Sequence, residues 1–182
     1  KAAALDIAMI CPLHGPVLKE DLGHYIDKYN IWSSYGVESE GVFIAYASVY
    51  GNTRKAADML ASKLADKGVH VTVSDLSRDD WAECLEDAFR YGKLVLAAPT
   101  YNADVFPAMK EFINHLTERN YQNRTIGIIE NGSWAPMAAK VMKGMFEKSK
   151  NITFAENTVT VRSAVNAANE AQIEALAEEL KG

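Results

Sequence analysis

From Gly41 onward, short apolar runs alternate with stretches whose apolar residues recur every three or four positions. The runs are Val42 to Ala47, Val69 to Val73, Leu94 to Ala98, Ile126 to Ile129 and Thr158 to Val161. Between and after them, five sets of residues fall at the i, i+3, i+4, i+7 spacing of one helix face. These sets are Ala57-Leu60-Ala61-Leu64, Trp81-Cys84-Leu85-Ala88, Met109-Phe112-Ile113-Leu116, Ala138-Val141-Met142-Met145 and Ile173-Leu176-Ala177-Leu180. The pattern predicts five strands and five helices in strict alternation. It is the signature of an α/β fold with a doubly wound parallel sheet and helices on both faces.

The runs differ in kind. The first, third and fourth are continuously apolar, as strands covered on both faces must be. The second contains His70 and Thr72, and the fifth Thr158 and Thr160, as edge strands can. Edges at the second and fifth strands predict the order 2-1-3-4-5. The order 3-2-1-4-5 would leave the apolar third run on an edge.

Residues 1–40 stand outside this alternation. Leu22, Tyr25, Ile26 and Tyr29 predict one short amphipathic helix. A turn-rich Cys11-Pro12-Leu13-His14-Gly15-Pro16 precedes it, and 33–41 reads as a linker into the domain at 41–182. The chain starts at Lys1 rather than at a methionine, which suits processing or a piece of something longer.

Composition narrows the classes. The 182 residues carry a formal charge of −5, which argues against nucleic acid as a partner, and no apolar run is long enough for a membrane span. Cys11 and Cys84 match no metal or redox spacing and read as free thiols in a cytoplasmic protein.

In open parallel sheets ligands sit beyond the carboxyl ends of the strands. The loop after the first run is Ser48-Val49-Tyr50-Gly51-Asn52-Thr53. Small hydroxyl and amide side chains around one glycine at a helix start form a phosphate cradle. Neither a Gly-Lys-Ser/Thr phosphate loop nor the dinucleotide pattern G-x-G-x-x-G is present there, and the clustered acids of a phosphorylated receiver are missing. The loop after the third run is Pro99-Thr100-Tyr101-Asn102-Ala103-Asp104. That after the fourth is Asn131-Gly132-Ser133-Trp134-Ala135.

Together these three loops resemble the FMN-phosphate loop and the two flavin-ring loops of flavodoxins. The resemblance covers about residues 41–182 and implies a flavodoxin-like, five-stranded fold with FMN as cofactor. It assigns Ser48, Asn52 and Thr53, with the N–H groups of Tyr50 to Thr53, to the phosphate. It assigns Thr100 and Asn102 to the polar flavin edge, and Tyr101 and Trp134 to its faces. The remaining loop positions, Val49, Gly51, Pro99, Ala103, Asn131, Gly132, Ser133 and Ala135, complete the cofactor set. Asp104 and Glu130 would then disfavour negative charge on the flavin. Loop three has fewer glycines than many flavodoxin relatives.

Residues 12–16 and the short helix after them are similar to the end of the metallo-β-lactamase-like domain of flavodiiron proteins. That likeness implies an electron-transfer domain of an oxygen or nitric oxide reductase, a homodimer, and a redox donor such as a rubredoxin-like or NAD(P)H-linked protein. His14 would be an iron ligand only alongside a di-iron domain that these residues do not contain. Two alternatives compete: a stand-alone NAD(P)H-dependent flavin oxidoreductase of the quinone or FMN reductase type, and a flavin-free binding module.

Overall fold

A computed structural model describes residues 5–182. The elements in chain order are α1 (Leu22–Ser33), β1 (Ser39–Tyr46), α2 (Asn52–Asp66), β2 (Val71–Asp75), α3 (Trp81–Arg90) and β3 (Tyr91–Tyr101). They continue with β4 (Asp104–Val105), α4 (Pro107–Glu118), β5 (Arg124–Asn131), α5 (Ala138–Met145), β6 (Ile152–Val161) and α6 (Ala167–Leu180). The sheet order is β2-β1-β3-β5-β6, and every pairing along that path is parallel. With the two-residue β4 set aside, this is the expected order 2-1-3-4-5. The edge assignments hold for the expected reason: β2 is half-buried throughout and β6 is buried only in part, whereas β1 from Gly41 to Tyr46 is buried completely.

Alternation along each central strand feeds two cores. Phe43, Ala45, Leu94, Leu96 and Ala98 face α3, α4 and α5, where Met109, Phe112 and Met142 meet them. Val42, Ile44, Val95 and Ala97 face α2 and α6, where Leu60, Leu64, Ile173 and Leu176 meet them. Trp81 is only half-buried. It stands edge-on to Phe112 and His115 at the rim of the core and donates its indole N–H to the Leu76 carbonyl at 2.8 Å.

Three features depart from the expected layout. Loop two is a hairpin: Tyr101 pairs with Asp104 and Thr100 with Val105, so β4 is antiparallel to β3. Asn102 and Ala103 both take positive φ, 52° and 57°, as a two-residue hairpin turn requires. Next, β6 begins at Ile152, well before Thr158. Glu156 and Asn157 interrupt the alternation there, and the Glu179 carboxylate accepts both of their backbone N–H groups. Finally, the segment between α1 and β1 is docked rather than free. The guanidinium of Arg124, 3% exposed, donates to the carbonyls of Tyr35 and Gly36 at 2.8 and 2.9 Å.

α2 and α6 are joined by Lys63 and Lys67, which contact the Glu174 carboxylate at 2.5 and 2.6 Å. These lysines hold the Glu174 pKa at about 2, below its ordinary 4.5. A depressed carboxylate stabilises the fold above its unfolded pKa, and that contribution is lost as pH falls toward the folded value. Glu174→Gln should therefore lower the thermal midpoint near neutral pH by a small amount, since the pair is exposed. The difference from wild type should vanish as pH falls from 4.5 to 2. A difference independent of pH in thermal melts would refute this origin.

Candidate functional site

The connections after β1, β3 and β5 converge on one open cleft of about 330 Å³ at the carboxyl end of the sheet. Ser48, Val49, Tyr50, Asn52 and Thr53 line it from the first connection. Pro99, Thr100, Tyr101, Asn131, Gly132 and Ser133 line it from the other two. Phe106 and Ser163 complete the wall, and neither was expected from the sequence. Of the expected residues, Gly51, Asn102, Ala103, Trp134 and Ala135 do not line the cleft itself.

The start of α2 offers uncapped backbone donors at a positive helix end. Its N-cap is Gly51 with φ 84°, and no side chain caps the helix. A Cβ on Gly51 would meet nothing within 4 Å, so glycine serves the left-handed backbone and not a crowded approach. The Gly51 N–H is not free, because it donates to Ser48 Oγ at 3.1 Å. That bond leaves the Ser48 hydroxyl hydrogen available. The N–H groups of Asn52 and Thr53 have no partner among the described residues, as at any uncapped helix start. Thr53 is only 2% exposed, lines the cleft, and makes no side-chain hydrogen bond within the described residues. A hydroxyl with no protein partner, facing a cleft at a positive helix end, is free to donate to an oxyanion there.

Loops two and three have a different character. Thr100 Oγ1 accepts the N–H groups of Met137 and Ala138 at 2.9 and 3.2 Å, capping α5 from a neighbouring strand. Its oxygen is occupied, and only its hydrogen remains for a ligand. The Glu130 carboxylate completes this cap by accepting from Ala139 N–H at 2.9 Å and Thr160 Oγ1 at 3.0 Å. Glu130 is thus buried beside α5 and does not line the cleft. Asp104 is ion-paired with Lys110 at 2.5 Å, and that contact holds its carboxyl below the usual range. The expected repulsion of flavin charge by these two acids is corrected accordingly: one is turned away and the other is neutralised. Gly132 has a packing role, since a Cβ there would sit 2.9 Å from Pro136 Cα and 3.1 Å from Thr100 Oγ1.

The aromatic residues near the cleft are conspicuously uncovered. Trp134 is 95% exposed and Tyr101 55%, and Tyr101 stands edge-on to Phe106 at 5.8 Å between ring centroids. Trp134→Ala should leave the melting temperature of the flavin-free chain nearly unchanged, because the indole buries almost nothing. If the indole covers a bound flavin, the same change should raise the flavin's fluorescence, since a stacked indole quenches it. Unchanged fluorescence of the bound flavin would place Trp134 elsewhere.

His14 lies on an exposed loop near the N-terminus. Among the described residues no three His, Cys, Asp or Glu side chains gather into a metal-binding group. Among them, too, no helix is long and apolar enough to cross a membrane.

A doubly wound sheet of this order, with the connections after β1, β3 and β5 meeting in one cleft at its carboxyl end, is the architecture of a flavodoxin-type protein. Comparison with known families agrees: a profile described as flavodoxin domain matches residues 43–164, and the chain belongs to that family. The coenzyme F420H2 oxidase of Methanothermobacter marburgensis is 32% identical over 120 residues, covering 66% of this chain and 29% of that protein. The nitric oxide reductase of Moorella thermoacetica is 25% identical over 158 residues, 87% of this chain and 39% of that one. The chain spans less than half the length of these curated relatives. In structure it is similar to rubredoxin oxygen:oxidoreductase from Desulfovibrio gigas, with a TM-score of 0.87 at 20% identity. That match covers 95% of this chain and 43% of the other, so it extends beyond residues 41–182 into the N-terminal segment. A Streptococcus pneumonia flavodoxin matches with a TM-score of 0.65 at 26% identity, over 76% of this chain and 96% of its own. FMN is the cofactor this family membership implies, and the uncapped helix start, the orphaned Thr53 hydroxyl and the uncovered aromatics fit it.

Proposed function

We propose that this chain is the FMN-bearing electron-transfer domain of a flavodiiron-type oxidoreductase. The observation that carries the reading is the convergence of three ligand loops on one cleft whose α2 end offers unpartnered donors. Bound FMN would supply one- and two-electron redox chemistry. The chain's own residues bind and orient it. Asn52 and Thr53 N–H groups, with the Ser48, Asn52 and Thr53 side chains, hold the phosphate. Tyr101 and Trp134 lie against the rings, and the Thr100 hydroxyl hydrogen and the turn at Asn102-Ala103 serve their polar edge. The Asp104–Lys110 pair sets no net charge beside them.

The domain division supports the same reading. Residues 1–40 belong, on this proposal, to the end of a preceding metallo-β-lactamase-like domain and its linker, with 41–182 as the flavodoxin-like domain. α1 has no buried residue, and Leu13, Val17, Tyr25, Tyr29 and Trp32 are exposed apolar side chains with little to cover them. Helices with an uncovered apolar face are normally packed against something. The parent protein would be a cytoplasmic homodimer that draws electrons from a rubredoxin-like or NAD(P)H-linked donor. The two cysteines, Cys11 exposed and Cys84 buried, are unpaired, as in a reducing compartment.

Reconstitution and mass identification of the released cofactor test the reading. The expected result is FMN, reduced by a chemical donor, with no reduction on adding NAD(P)H alone. The chain alone should consume neither nitric oxide nor oxygen at an enzymatic rate. FAD or no flavin would overturn the cofactor assignment, and direct reduction by NAD(P)H would favour the stand-alone oxidoreductase.

A further inference from the structure

We propose that a second cavity, at the amino end of the sheet, binds a small planar aromatic acid, with Arg119 holding its carboxylate and Trp32 lying along its ring. The site is separate from the flavin cleft and does not depend on the FMN reading.

The cavity measures about 570 Å³, within the range that encloses a small organic ligand. Its wall is assembled from distant parts of the chain. The last turn of α1 supplies Trp32, and the segment before β1 supplies Tyr35 and Glu38. The last turn of α3 supplies Glu86, Phe89 and Arg90. Arg119 is the C-cap of α4, and Arg124 is the first residue of β5. On the domain division above, Trp32 comes from one side of the junction and Arg119 from the other, and domain junctions are common places for ligand sites.

The charges around the cavity do not balance. Both carboxylates of the wall are already engaged. Glu38 accepts from Lys28 Nζ at 2.8 Å and from the Trp32 indole N–H at 2.6 Å, and Glu86 is ion-paired with Arg90. Arg90 is also tied to Asp87 at 2.9 Å. Arg119 and Arg124, by contrast, have no carboxylate partner among the described residues. Arg124 is 3% exposed, donates only to carbonyls, and keeps an unpartnered Nε among those residues. Two positive charges thus remain beside the cavity in a chain whose formal charge is −5. An anion in a partly enclosed site gains from both.

Arg119 carries the free donors. Its Nη1 is anchored on the His115 carbonyl at 2.9 Å, one helical turn earlier, while Nε and Nη2 make no hydrogen bond among the described residues. Nε and Nη2 form the side-on edge of the guanidinium, whose two parallel N–H groups match the two oxygens of a carboxylate. Glu38 and Glu86 remain in the wall, so a second negative charge on the ligand would meet repulsion. The charge count therefore selects a monoacid.

The apolar part of the wall selects the body of that acid. Trp32 is 57% exposed, and Glu38 fixes its indole by the ring N–H, which leaves a rigid aromatic surface uncovered. Tyr35 and Phe89 pack on each other at 6.4 Å between ring centroids and add a second one. A planar ring stacks on such surfaces, whereas an aliphatic acid or inorganic phosphate would use the arginine alone. Because cavity and cleft lie at opposite ends of β5, the site serves a ligand that the flavin does not turn over.

The test is titration calorimetry on the 182-residue chain, with and without FMN, using naphthoate, its neutral analogue naphthylmethanol, and acetate as probes. Naphthoate should bind about tenfold more tightly than either control, and FMN should make no difference. Arg119→Gln, at an exposed helix end, keeps the fold and should weaken naphthoate about tenfold while leaving naphthylmethanol unchanged. Trp32→Ala should weaken both naphthalenes. Thermal midpoints of the ligand-free variants check folding. Equal affinity for the acid and the alcohol, no binding of naphthoate, or an unchanged affinity in Arg119→Gln would overturn the proposal. So would loss of naphthoate binding on adding FMN, which would place the probe in the flavin cleft. A chain that binds no flavin still permits every other comparison, so this proposal and the FMN reading fail separately.

Discussion

Replacing Thr53 with alanine should weaken FMN about 10- to 150-fold while leaving riboflavin nearly unaffected, because a hydrogen bond to a charged acceptor is worth about 1.5–3 kcal/mol. Thr53 is the second residue of α2, just past an N-cap that offers no side chain to the helix. Its hydroxyl has no hydrogen-bond partner among the described residues and lines the cleft. The backbone N–H groups beside it are strengthened for anions by the helix dipole, and the hydroxyl adds a donor in the same direction. Alanine also deletes a buried methyl group, which costs some stability of the fold. That cost falls on FMN and riboflavin alike, so the ratio of the two dissociation constants isolates the phosphate contact. Thr53→Ser retains the hydroxyl and should restore most of the ratio. Titration of the flavin-free variants by fluorescence quenching gives both constants, and an equal loss for the two flavins would show that Thr53 does not reach the phosphate.

Much of this architecture was legible because strand burial writes itself into hydrophobic pattern. A strand covered on both faces must be apolar at every position, so Val42 to Ala47 and Leu94 to Ala98 could be placed centrally. His70 and the threonines of β6 could be placed at edges for the converse reason. The part of the cleft wall that follows β1 was legible because its small polar residues sit contiguously around one glycine. What escaped was whatever depends on partners distant in sequence. Thr100 reads as a ligand hydroxyl, yet its oxygen caps α5 some 37 positions away. Glu130 reads as a cleft acid, yet its carboxylate finishes the same cap. Ser163 has no local motif, and only the 32-residue reach to Asn131 brings it to the cleft. The early half of β6 was hidden by Glu156 and Asn157, whose polarity is explained by Glu179 across the fold.

Arg124→Met should be the most destabilising single change outside the hydrophobic core, by about 3 kcal/mol, because it leaves several partly buried carbonyls without their donors. Arginine is rarely buried without a carboxylate, and nothing local marks this one. It stands at the first position of β5. Nη1 donates to the carbonyls of Tyr35, Gln122 and Asn123 at 2.8, 3.2 and 3.0 Å, and Nη2 to those of Gly36 and Phe89 at 2.9 and 2.6 Å. Five carbonyls thus take the place of a counter-ion, and Nε has no partner among the described residues. Burial pushes the guanidinium below its usual pKa range, while the neighbouring Tyr121 pulls it back. Because Tyr35 and Gly36 lie between α1 and β1, this one side chain pins the N-terminal segment to the sheet. A loss near 3 kcal/mol corresponds to a fall in melting temperature of roughly 6–12 °C for a chain this long. Arg124→Lys should rescue little of it, since a single ammonium cannot span carbonyls set around a planar fork. Proteolysis between α1 and β1 should accelerate in both variants. FMN affinity at low temperature should hardly change, because the cleft lies at the other end of β5, about 23 Å away at 3.3 Å per residue. Thermal melts, timed proteolysis and flavin titration on the same preparations decide the matter. A melting temperature within about 2 °C of wild type would show that the carbonyl cage finds water or other donors instead, and that Arg124 is not the pin.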